Sequence, residues 1–158
     1  AFFLLDSDRE IFFLFAQAAW LKTQMEKIKA DHRIVMLHHP LYSVRRENNN
    51  LIQRWMFNDI ICDAKADLVL QGHEHGYAHC TADEEPLKGH DCTNPPLYVI
   101  SHCSPKEYHL HPTKRFYPVI QGSRYYQIID VDAKAVTYKA YDVANDALID
   151  SVRITKPK

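Results

Sequence analysis

The sequence lacks the features that would mark a membrane protein or a partner of polyanions. Nineteen Lys and Arg stand against twenty Asp and Glu, a formal net charge of −1, which gives nucleic acid or an acidic membrane surface no electrostatic handle. No apolar run approaches the roughly 20 residues that a membrane-spanning helix needs. The opening Ala1 to Leu5 is too short for the apolar centre of a signal peptide and has no basic leader. It reads instead as a strand already under way, as expected of a cut inside a larger protein. No internal repeat or low-complexity tract interrupts the 158 residues, a length sufficient for one domain with a substantial core.

Cysteine is sparse, with four residues (Cys62, Cys80, Cys92, Cys103) and no CxxC pair. Cys80 and Cys92 bracket a polar loop containing Pro86 and Gly89, which a disulfide between them would close. Such a bond would place the chain in a periplasmic or secreted setting; buried free thiols are the alternative.

Apolar periodicity supplies the organisation. Phe2 to Leu5 is a short strand candidate. Ala18, Leu21, Met25 and Ile28 recur at three- and four-residue spacing, with Lys22, Glu26, Lys27 and Lys29 on the other side, which predicts an amphipathic helix. Ile34 to Leu37 is an unbroken apolar run of the kind found in parallel strands covered on both faces. A second helix is expected across Leu51 to Ala64, with Ile52, Trp55, Met56 and Ile60 on its apolar face. Leu68 to Leu70 is another buried strand. The resulting β-α-β-α-β order defines an α/β class with an open parallel sheet. Residues 76 to 96 are polar and loop-like, broken by Pro86, Pro95 and Pro96. Strands follow at Leu97 to Ser101, Tyr125 to Val131, Ala135 to Tyr141 and Ala147 to Ile154. The last three, joined by turns at Asp132-Ala133-Lys134 and Asn145-Asp146, form an antiparallel meander that completes a mixed sheet. Residues 103 to 123 make a long irregular connection, a kind of segment that is often functional.

Ten histidines are present, and their placement carries more than their number. His38 ends the first buried parallel strand, in Met36-Leu37-His38-His39-Pro40. His73 and His75 follow the second, in Gln71-Gly72-His73-Glu74-His75. Ligands of open α/β sheets bind outside the carboxyl ends of the strands. The interval from His38 to His73 fits one strand-helix-strand unit, and neighbouring strands lie about 4.8 Å apart, so three imidazoles converge. Gly72 removes a side chain where the backbone turns, and Pro40 stops the first strand. Imidazole suits Zn, Fe, Mn and similar ions. Three histidines fall short of a two-metal hydrolytic site, and no DxH or GDxxD pattern offers the missing carboxylates.

These residues resemble a family. His38-His39-Pro40-Leu41-Tyr42 and Gly72-His73-Glu74-His75-Gly76-Tyr77 are similar to the HxP and GHxH motifs of calcineurin-like metallophosphoesterases, most of all to the purple acid phosphatase branch. Leu5-Asp6-Ser7, Gln17, Trp20-Leu21 and the run Asp67 to Gln71 add to the likeness, which covers most of residues 1 to 105. The resemblance implies a four-layer αββα sandwich, of which residues 1–158 would be the C-terminal half of a single domain. It implies two divalent or mixed-valence metal ions (Fe, Zn, Mn or similar), with His38 and His73 on the second metal and His75 on the first. His39 occupies the motif's variable position and receives no ligand role. The family's DxH, GDxxD or GDxxY, and GNHE or GNHD motifs lie upstream and are absent, and with them the bridging Asp, the Asn ligand and the catalytic His.

The implied activity therefore belongs to the complete protein. It is phosphomonoester hydrolysis of a phosphorylated small molecule by metal-activated hydroxide, with phosphodiesterase or nucleotidase action as the alternative within the family. The missing N-terminal half is the implied partner. A catalytically incomplete binding or structural domain is the alternative of another class. His39 and His102 are further candidates for the site, His39 more readily explained by packing or hydrogen bonding. Tyr42 and Tyr77 could line a cleft, although aromatic packing explains them better. His109 and His111 copy the ligand spacing but follow no buried strand and read as surface loop. A structural zinc site from His79, Cys80, His90, Cys92, His102 and Cys103 would match no finger or ribbon spacing.

Overall fold

A computed structural model describes residues 1–45, 50–81, 92–111 and 114–156. Strand β1 (Phe2–Leu4) leads to helix α1 (Ile11–Lys27), strand β2 (Ile34–Met36), helix α2 (Leu51–Asp63) and strand β3 (Leu68–Gln71). Strands β4 (Tyr77–Thr81), β5 (Leu97–Ile100) and β6 (Val119–Ile120) follow, and β7 (Tyr125–Val131), β8 (Ala135–Asp142) and β9 (Leu148–Thr155) complete the chain. The expected β-α-β-α-β order is present. Among the described residues no helix is long and apolar enough to cross a membrane.

Two sheets result. The larger has the order β1-β2-β3-β5-β4-β6, and the smaller is β7-β8-β9. Strands β1, β2, β3 and β5 run parallel, while β4 pairs antiparallel with both β5 and β6. The strands of the large sheet send alternate side chains to opposite faces. On one face Phe3, Val35, Val69, Tyr98 and Ile100 meet the helices through Leu14, Leu21, Met25, Phe57 and Ile61. On the other, Ile34, Leu68, Tyr77, Leu97 and Val99 meet Tyr125, Val136, Tyr138 and Ala140 of the small sheet. The architecture is therefore three layers: helices, mixed sheet, antiparallel sheet. Ile34 and Val35, neighbours in sequence, are both buried because both faces of β2 are covered.

Several details differ from the sequence reading. β4 lies in the segment expected to be loop: Tyr77, Ala78 and Cys80 are buried but His79 and Thr81 interrupt the apolar pattern. The meander does not extend the mixed sheet but forms a layer of its own. Helix α1 buries Ala18, Leu21 and Met25 as the spacing predicts, but it begins earlier, at Ile11, and adds Leu14 to the stripe, while Ile28 lies just past its end and is exposed. Helix α2 buries Met56, Phe57, Ile61 and Cys62. The helix carries two apolar stripes, and the one with Phe57 and Ile61 wins the sheet. Ile52 and Trp55 are left exposed, Trp55 making an edge-to-face contact with Phe15 of α1. Both expected turns are present. Asp132 Oδ1 accepts the N–H groups of Lys134 and Ala135, an Asx turn, and Asp146 adopts φ +56°.

Polar clamps lock the layers. Asp67 is buried at the start of β3; one carboxylate oxygen lies 3.2 Å from His32 Nδ1, and the other accepts the Arg33 N–H at 2.8 Å and lies 3.3 Å from Lys156 Nζ. Asp150 of β9 accepts the Tyr77 hydroxyl at 2.6 Å and lies 3.0 Å from His79 Nε2 of the facing sheet. Burial foremost, then Tyr138 and the hydrogen bond to Asp150, push the Tyr77 hydroxyl pKa far up.

The disulfide also differs from expectation. Cys92 pairs with Cys62, not with Cys80. Cys80 stays outside the disulfide and is buried among the helix-side core residues, held there by β4. Cys62, at the end of α2, is the cysteine that residue 92 meets as the chain returns to β5. The bond spans 30 residues, so loop-closure entropy assigns it about 3–4 kcal/mol. Cys92→Ser is expected to lower the denaturant midpoint accordingly, without loss of the folded circular-dichroism spectrum; an unchanged midpoint would show that the bond does not form.

Candidate metal centre

The site grows from the carboxyl ends of β2 and β3. The two strands pair in parallel, Met36 opposite Leu70, and the ladder continues as Leu37 N–H donates to Leu70 O and Gly72 N–H donates to His38 O. Each chain then turns away at a histidine. The first turn is held from three sides: Gln71 Oε1 accepts Leu41 N–H, the Asn50 amide donates to Pro40 O, and Ser7 Oγ accepts His39 N–H, each at 2.8 Å. The second turn is strained, since His73 and His75 adopt φ +69° and +51°. Non-glycine residues held in this region cluster at functional sites.

Gly72 is not at positive φ, so the turn geometry falls on the histidines. A Cβ at Gly72 would meet only His38 Nδ1 at 3.5 Å, an ordinary contact, whereas one at Gly76 would strike Leu110 Cδ1 at 2.3 Å. Gly76 is thus the residue that admits the 103–111 segment against the site.

The imidazoles form two groups. His38 Nε2 and His73 Nδ1 lie 3.2 Å apart. With His39 they bring one ring nitrogen each to within 4.8 Å of one another. His75 stands apart: its Nδ1 is 2.8 Å from Lys106 O, and its ring stacks on His102 with centroids 5.3 Å apart. The sequence reading drew His38, His73 and His75 to one spot; here His39 takes the third place beside His38 and His73, and His75 joins His102. Burial holds the His73 pKa below the ordinary imidazole range, and the neighbouring His39 and His38 lower it further. Burial lowers His102 as well, with His75 adding.

The donor set fits a transition-metal ion. Two imidazole nitrogens bound to one tetrahedral ion at about 2.0–2.1 Å lie roughly 3.4 Å from each other, close to the spacing of His38 and His73. It does not fit two ions, because no carboxylate joins the histidine trio among the described residues.

A cationic rim accompanies the second group. The Tyr108 ring packs on His75 with centroids 4.6 Å apart, the Arg45 guanidinium lies 4.1 Å above it and Lys106 Nζ 4.7 Å. Sequence reasoning flagged only the long connection that carries Tyr108 and Lys106; nothing in their spacing marks these residues individually. Tyr42 and Tyr77 are packing residues. Tyr42 is buried against Tyr98 and donates to Asn58, and Tyr77 is fully buried. His109 and His111 contact each other, apart from the trio. The mixed Cys and His zinc set does not assemble: Cys92 is in the disulfide, Cys80 is buried, Cys103 is exposed and His79 faces Asp150. His90 lies outside the described residues.

No family model matches the sequence, and no curated protein matches it. Solved structures do. Purple acid phosphatase PPD1 from yellow lupin (Lupinus luteus) seeds superposes with a TM-score of 0.75 at 14% identity over 98% of this chain and 30% of that one. GAP50, the anchor in the inner membrane complex of Plasmodium, superposes at 0.74 with 15% identity over 99% of this chain and 49% of that one. The fold is that of purple acid phosphatase-like proteins, and the chain spans less than half the length of each of these two.

Two outcomes are expected. Gly76→Ala displaces Leu110 and lowers stability by about 1–3 kcal/mol, while Gly72→Ala leaves it near the original; equal effects on thermal denaturation would contradict the geometry. Second, His79 and His102 have pKa values depressed below 6.5, by burial foremost in each case. The unfolded chain therefore binds more protons between about pH 6.5 and those lower values. Stability falls as pH drops through this window; a denaturant midpoint that stays flat from pH 7.5 to about 5.5 would refute it.

Proposed function

We propose that this chain is the C-terminal part of a metallophosphoesterase domain whose complete form hydrolyses phosphomonoesters at a binuclear centre. The observation that carries the reading is the 3.2 Å approach of His38 Nε2 to His73 Nδ1 at adjacent parallel-strand ends. That position is where ligands of open α/β sheets bind. The purple acid phosphatase-like fold supports the same reading. His38 and His73 would serve one metal ion and His75 the other, with the remaining ligands from an N-terminal half. Such ions, when bound, supply charge neutralisation at a phosphoryl group and lower the pKa of a bound water. This chain's own cations, Arg45 and Lys106, lie over the Tyr108 ring, which packs on His75, and would draw in an anionic substrate there. His102 would hold the His75 ring through their stacking.

Two further observations support an absent half. Among the described residues β1 has a single strand neighbour, β2, and its residues Phe2 and Leu4 are 61% and 67% exposed. An apolar edge of this kind invites another strand. The Cys62–Cys92 disulfide agrees with an oxidising, periplasmic or secreted setting.

A second reading, a non-catalytic binding or anchoring domain, rests on His75. Its hydrogen bond to Lys106 O turns it from the trio, and the fold is shared with an anchor protein as well as a phosphatase. Hydrolysis of an aryl phosphate monoester by the complete protein separates the readings. His73→Ala is expected to remove most turnover while the circular-dichroism spectrum stays that of the folded protein. Near-normal turnover by that variant would end the ligand assignment, and a metal-loaded complete protein without turnover would favour the anchor.

A further inference from the structure

His39 stands at a variable position of the motif, yet its surroundings are those of a ligand. Its backbone N–H donates to Ser7 Oγ at 2.8 Å, and its ring Nδ1 lies 3.2 Å from the same oxygen. Ser7 is itself buried, in the turn that follows β1, so one hydroxyl fixes both the backbone and the ring of His39. In the tautomer whose Nδ1–H donates to Ser7 Oγ, Nε2 presents its lone pair outward. Asp8 Oδ1 lies 3.6 Å from Nε2, too far for a hydrogen bond. The ring is 4.9 Å from that of His38 and 4.5 Å from that of His73, centroid to centroid, and is tilted by 47° to the latter.

We propose that His38, His39 and His73 form a three-imidazole site that holds one transition-metal ion in this chain without the rest of the domain, an inference that rests on the metallophosphoesterase reading for His38 and His73 and adds His39. Three neutral imidazoles and a water complete a four-coordinate zinc site, and imidazole donors serve the ions from iron to zinc. The ring nitrogens lie up to 4.8 Å apart and must draw in to roughly 3.4 Å for a tetrahedral ion. His38, whose side chain is exposed, can supply that adjustment by rotation. His39 and His73 stay where Ser7 and the strained turn hold them. Ser7 acts as a positioning residue behind the ligand, the role a hydrogen-bonded outer partner plays for most metal-bound histidines. The consequence is a site loaded by this chain first, with the carboxylates of another segment closing over it afterwards.

The test is zinc binding by the 158-residue chain, measured by calorimetry against a competing chelator, with cobalt(II) absorption reporting imidazole coordination. One ion per chain is expected. His39→Gln should weaken binding by at least about tenfold and Ser7→Ala by about 10–100-fold, both with folded circular-dichroism spectra, while His109→Ala binds as the original does. If His39→Gln binds zinc normally and His73→Ala does not, His39 is no ligand and the metallophosphoesterase reading stands. If the unaltered chain binds no zinc, the inference fails. The broader reading is then judged separately by hydrolysis in the complete protein.

Discussion

Met36 lies opposite Leu70, Leu37 donates to Leu70 O, and Gly72 donates to His38 O; through these bonds two turns 35 residues apart in the chain end side by side. Everything at the site depends on that parallel pairing. A register slip of one residue would send Ile34 and Val35 to the opposite layers and move His38 away from His73. The pairing is in turn secured by burial on both sides, helices on one face and the β7-β8-β9 sheet on the other. Asp67 adds a buried clamp at the opposite end of the same strands.

The parallel half of the fold was legible because its strands are continuous apolar runs and its helices keep a regular spacing. Ala18, Leu21 and Met25 show this for α1. Where apolar residues exceed one face, as on α2, periodicity could not say whether Phe57 and Ile61 or Ile52 and Trp55 would meet the sheet. β4 was illegible because His79 and Thr81 break its pattern for reasons that lie elsewhere, His79 answering to Asp150 across the sheet interface. The disulfide partner was equally hidden: Cys80 is closer to Cys92 in sequence, but β4 points Cys80 into the core.

At the site, the convergence of His38 and His73 followed from strand order alone. The division of the histidines did not, because it depends on contacts made by the connection after β5. Lys106 O takes His75, and His102 stacks against it, leaving the third place to His39. Segments of irregular backbone carry no period, so Lys106, Tyr108 and Leu110 could be assigned to no position from sequence. Gly76 shows the same limit: its need arises from Leu110, a residue far along the chain.

On the reading proposed above, one metal-ion site would be nearly complete in this chain, in the cluster of His38, His39 and His73, and a second only begun. X-ray absorption at the zinc edge of the zinc-loaded chain tests this most directly. The account predicts nitrogen or oxygen neighbours at about 2.0–2.1 Å, with the outer-shell scattering of three imidazole rings falling to two when His39 is replaced. Scattering without imidazole rings, or unchanged by that replacement, would contradict it.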